Sequence, residues 1–132
     1  MTTRSTDIAR IQELGTINEL PMIANDIIYE GSAVGDNGSG YARPLEAADP
    51  FRGFAERNTD NTGGQAGDVS VRVKTVGLIE ATISGIALTD VGAAVYMSDD
   101  DTFTLEDTSN SLIGKVYRYV GTDTAIVYFN AL

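Results

Sequence analysis

The sequence predicts an all-β fold, a compact single-domain sandwich or barrel of residues 26–132 preceded by an extended N-terminal arm of residues 1–25. Three observations predict it. Fourteen glycines are spread through 132 residues. Short β-branched runs alternate with polar turn clusters at even spacing, as in sandwiches and small barrels. One segment, Asp68-Val69-Ser70-Val71-Arg72-Val73-Lys74, alternates apolar and polar side chains at the strand period of two.

The arm has a different texture. Thr2, Thr3, Ser5 and Thr6 make a polar leader. Ile8, Ile11 and Leu14 then recur at spacing three, with Asp7 placed to cap and Gly15 to stop, which allows one or two helical turns. So short a helix is marginal unless it packs on something. Ile17, Leu20, Met22 and Ile23 follow around the helix-breaking Pro21. Two readings are open: an ordered segment docked on its own domain, or an arm that reaches a neighbouring subunit. Ile8, Ile11, Leu14, Ile17 and Leu20 are the interaction candidates it supplies.

Strand signals begin with Ile27-Ile28-Tyr29 and Ala33-Val34-Gly35. Asp36-Asn37-Gly38-Ser39-Gly40 is a turn, since Asn-Gly provides the positive φ of a tight hairpin. Tyr41-Ala42-Arg43-Pro44 is extended, with the proline suited to an edge. Residues 51–57 read as a strand and 58–64 as a polar loop. After the alternating strand at 68–74, strands are expected at 76–83, 93–97, 103–105, 112–120 and 125–129. The chain also echoes itself: Gly53-Phe54-Ala55-Glu56-Arg57 and Gly114-Lys115-Val116-Tyr117-Arg118 share Gly-x-[Ala/Val]-x-Arg, each followed by a Thr/Asp-rich loop and an alternating strand. This suggests an internal duplication.

Composition narrows the chemistry. The formal charge is −10, from 19 acidic and 9 basic residues. A polyanion gains no counterion-release energy on phosphates, so neither nucleic acid nor an anionic membrane is an expected partner. Histidine and cysteine are absent, which removes the usual neutral-pH base and the thiolate and imidazole metal ligands. No cofactor and no metal site is expected, and no enzyme. The N-terminus lacks the apolar core of a signal peptide, so a cytoplasmic origin is expected. The acidic run Asp99, Asp100 and Asp101 lacks the glycine and terminal glutamate of an EF-hand. It reads as a solvated hairpin that keeps an edge soluble, with weak calcium binding left open. In Val116-Tyr117-Arg118-Tyr119-Val120, strict alternation puts Tyr117 and Tyr119 on one face, and one of the two faces is expected to form a contact surface.

The order of these segments resembles a family of tailed-bacteriophage head proteins, the capsid cement or decoration proteins. The resemblance rests on the opening Met1-Thr2-Thr3-Arg4-Ser5-Thr6, the strand Ile27-Ile28-Tyr29-Glu30-Gly31-Ser32-Ala33-Val34, Gly40-Tyr41-Ala42-Arg43-Pro44, and Gly53-Phe54-Ala55-Glu56 leading to Asp60-Asn61-Thr62-Gly63-Gly64. In the second half it rests on Asp90-Val91-Gly92-Ala93-Ala94-Val95-Tyr96, Ser98-Asp99-Asp100 and Leu112-Ile113-Gly114-Lys115-Val116. Residues 75–85 are more aliphatic than the family pattern. The resemblance implies a tulip-like β-fold and a homotrimer on the outer surface of the virion capsid, reinforcing contacts between major capsid proteins. The runner-up function is a carbohydrate- or cell-surface-binding β-module.

Overall fold

A computed structural model describes residues 4–132; residues 1–3 of the polar leader lie outside the described residues. The fold is all-β. Twelve strands form two five-stranded antiparallel sheets and one two-stranded sheet, with a single 3₁₀ turn at Leu88–Asp90 among the described residues. The strands are β1 (Ile17–Pro21), β2 (Ile27–Ile28), β3 (Ala33–Asp36), β4 (Ala42–Pro44), β5 (Phe51–Ala55), β6 (Thr59–Asp60), β7 (Ser70–Lys74), β8 (Val76–Thr82), β9 (Ala94–Met97), β10 (Phe103–Thr104), β11 (Ser111–Gly121) and β12 (Thr124–Asn130).

The first large sheet runs β1-β7-β5-β3-β4 and the second runs β8-β12-β11-β9-β10. Taken in chain order, the two have one topology. Their registers coincide as well. Ala33, Val34 and Gly35 oppose Phe54, Gly53 and Phe51, while 61 positions on Ala94, Val95 and Tyr96 oppose Lys115, Gly114 and Leu112. The same bulge therefore interrupts both ladders. Gly31 N–H donates to the Ala55 carbonyl and Gly92 N–H to the Val116 carbonyl, each at 2.9 Å. Ala48 and Ser109, also 61 apart, both hold a positive φ. The sequence echo is thus a duplication of one five-stranded unit. The units differ most between their last two strands, where the first carries a longer loop holding β6.

The bulges explain the glycines. At Gly53 (φ 129°) and at Gly114 a Cβ would collide with the carbonyl oxygen of Lys74 and of Tyr128, respectively. Only a residue without Cβ lets the neighbouring backbone approach so closely. The extra residue also rephases β5, so that Phe51 and Phe54, three apart, face the same core.

The two units stack front to back. One core joins Ala33, Leu45, Phe51 and Phe54 of the first sheet to Val95, Val116, Ala125 and Val127 of the second. Phe54 and Phe129 meet edge-on there, with centroids 4.8 Å apart. The first-unit counterparts of those second-sheet residues, Val34, Ala55, Val71 and Val73, lie on the opposite face and form a separate core with Met22, Ile28 and Ala42. The longer loop, with β2 and β6, closes that core. Asn61, 4% exposed, fixes the loop by donating from its amide to the carbonyls of Ile23 (2.8 Å) and Gln65 (3.0 Å).

The stretch read as one arm divides at Gly15. Residues 7–14 carry no regular structure, so the allowed helical turns do not form. Ile17–Pro21 instead pairs along its whole length with β7, and Met22 is fully buried. A short amphipathic helix with nothing beneath it does not hold in water.

Candidate functional site

The interaction candidates separate into three environments. Ile8, Ile11 and Leu14 are 48%, 101% and 96% exposed, ahead of the first paired strand. Their point of departure is fixed: Thr75 donates its hydroxyl to the Gly15 carbonyl and its N–H to the Thr16 carbonyl. Ile17 and Leu20 belong to β1. Leu20 packs on the second core, and Ile17 lines a shallow cleft beside Glu13, Asn18 and Arg72.

The tyrosine pair does not share a face. Register shifts in the β11–β12 ladder leave Tyr117 and Val120 without partners. Val116 faces the core, Arg118 opposes Ile126, and Tyr119 opposes Ala125 and packs inward. Tyr117 is left 52% exposed with the Arg118 guanidinium 5.8 Å from its ring centroid. Strict alternation fails because each bulge inverts the facing of everything after it.

The acidic turn is built for shape. Asp99 accepts from the N–H groups of Asp101 and Thr102 and from the Thr102 hydroxyl, at 2.8–3.1 Å. The Asp101 N–H, above all, holds its carboxyl below the usual carboxylate range, with burial opposing and the Thr102 bonds reinforcing. Asp36 does the same work in the corresponding hairpin of the first unit. It accepts from Gly38 (2.7 Å) and Gly40 (3.2 Å) and pairs with Arg52 (3.2 Å). Among the described residues no group of three or more carboxylates converges on a point where a metal could sit.

Asp49 is the one buried acid that carries a pair of charge-assisted bonds. It receives Arg43 Nε at 3.0 Å and Nη2 at 2.8 Å, and the Glu46 N–H at 3.0 Å. Burial pushes its carboxyl up, but the Arg43 fork and the Glu46 N–H outweigh it and leave the group below the usual range. The pair ties β4 to the turn before β5 and lies against Gly35, so its role is in the scaffold.

Sequence reasoning missed a cleft of about 550 Å³ that opens where the two large sheets meet. Phe54, Ile79 and Phe129 contribute apolar wall, and Glu30, Glu56, Arg57, Lys74 and Leu78 surround it. No local motif marks it, because it forms between strands distant in sequence. The available signal was indirect: β8, within the unusually aliphatic stretch 75–85, is an outer strand.

No helix among the described residues is long and apolar enough to cross a membrane. No family model matches the chain, and neither a curated protein nor a solved structure matches it.

Proposed function

We propose that this protein is a structural component of a phage virion. It binds the outer face of the capsid and stabilises contacts between major capsid proteins, as a homotrimer, without catalysis. The observation that supports the reading most is the exposed apolar segment. Ile11 and Leu14 gain nothing from solvent, and exposing two large aliphatic side chains forgoes roughly 1.5–3 kcal/mol apiece. They lie on a segment whose root is pinned by two hydrogen bonds from Thr75, one to the Gly15 carbonyl and one to the Thr16 carbonyl. A rigid β-body with an apolar tether suits many weak, identical contacts on a repeating shell, where modest affinity per copy suffices. The order of strand and turn motifs along both halves points the same way.

The test is binding to expanded capsids of the phage that carries the gene, assembled without this protein. Purified protein mixed with such capsids should co-sediment saturably, at three copies per occupied position. Protein that stays in the supernatant at micromolar concentration would rule the function out.

A further inference from the structure

We propose that the inter-sheet cleft receives the N-terminal segment of a second copy of this chain, as a strand added to the open edge of β8. This rests on the homotrimer reading above and names the contact that builds it.

The four outer strands of the large sheets are unequal. β1 and β4 each end in proline, and β10 has two residues. β8 has seven residues, no proline and an unbroken register with β12. Its backbone phase follows from the bonds at its two ends. Ala131 N–H donates to the Thr75 carbonyl and Ile83 N–H to the Asp123 carbonyl. Odd-numbered residues from 75 to 83 therefore bond to β12, and the N–H and C=O groups of Val76, Leu78, Glu80 and Thr82 point away from it. Such a long regular edge is a template for strand addition.

The cleft wraps this edge. Leu78 and Ile79 point to opposite faces of the sheet, and both line it. Phe54 and Phe129, 5% and 2% exposed, provide an apolar floor. Glu30, Arg57 and Lys74 stand around it without an ion pair among the described residues. An occupant should be extended, carry one apolar knob and bring charges of both signs. In a strand of residues 8–14, Ala9, Ile11 and Glu13 fall on one face. Ile11 then sits over the aromatic floor and Glu13 beside Lys74 and Arg57, while Arg10 on the other face is free to meet Glu30. Ile11 is fully exposed in its own chain. The eleven residues 4–14 can reach about 36 Å when extended. Arm into the next copy's cleft is a heterologous contact, and three such contacts close a ring.

The chain has no native cysteine, so the test can use Ile11→Cys with Ile79→Cys, which face the same side of the extended sheet. Oxidation should give covalent species of two and three chains on a non-reducing denaturing gel. A cross-linked monomer, or no cross-link, would overturn the proposal. Independently, Leu78→Pro should reduce the mass by light scattering threefold while unfolding stays cooperative, because the N–H it removes makes no bond to β12. If that variant misfolds, Ile11→Asp at a fully exposed position gives the same readout, and a trimer that persists in it refutes the exchange. A wild-type monomer that still binds capsids would sink the exchange and the free trimer but spare capsid binding; a cleft-swapped trimer that ignores capsids would do the reverse.

Discussion

Two residues show how far single side chains set this fold. Asp49 is 8% exposed and holds the Arg43 guanidinium through two bonds. Asp49→Ala removes both of these bonds and leaves Arg43 only its pair with the exposed Glu46 at 2.6 Å, and should destabilise the protein by about 1–2 kcal/mol, measured by urea unfolding. An unchanged midpoint would mean that solvent already screens the pair. The carboxyls of Asp36, Asp49 and Asp99 all sit below their ordinary value in the folded state. The unfolded chain therefore binds protons first as pH falls. Their stabilisation is full above about pH 4 and lost below it, as pH drops through the folded values. Thermal melts should give a flat Tm from pH 7 to about 5 and a steep fall beneath about 4. Gly114→Ala puts a methyl onto the Tyr128 carbonyl and should cost roughly 3 kcal/mol, since backbone must move. Gly121→Ala, where an added Cβ meets nothing within 4 Å, is the control.

At the scale of elements, the strands with strict alternation were the legible ones. Residues 68–74 read as a strand, and β7 occupies Ser70–Lys74. The turn at Asp36-Asn37-Gly38 was equally plain, because its chemistry is local. The facing of Tyr117 and Tyr119 was not, since a bulge is decided by the partner strand and leaves no mark in a one-strand pattern. β1 was half legible: docking on its own domain was one of two open readings, and the ladder with β7 that decides it lies far along the chain. The exposed segment and β1 are separable by truncation. Removing residues 1–14 takes away no strand paired within its own chain and should leave unfolding cooperative, with Tm lowered only by the lost contact between copies. Removing residues 1–22 deletes β1 and the fully buried Met22, and should abolish cooperative unfolding. If the shorter truncation also destroyed cooperativity, residues 8–14 would belong to the core.

Across the whole molecule, duplication organises everything else. Two units of one topology stack front to back, so the face that the first unit buries through Phe51 and Phe54 is open in the second, where Leu112 and Lys115 stand. Leu112 is 59% exposed. The repeated Gly-x-[Ala/Val]-x-Arg made the duplication visible in sequence, whereas the stacking was not, because it depends on which face the longer loop covers. A strongly acidic β-body with a projecting apolar segment is what the proposed capsid reinforcement rests on. The most direct measurement is the temperature at which expanded capsids release their DNA, with and without saturating protein. The account predicts that added protein raises it and that the variant lacking residues 1–14, though folded, raises it less. Capsids that bind the protein yet open at an unchanged temperature would contradict it.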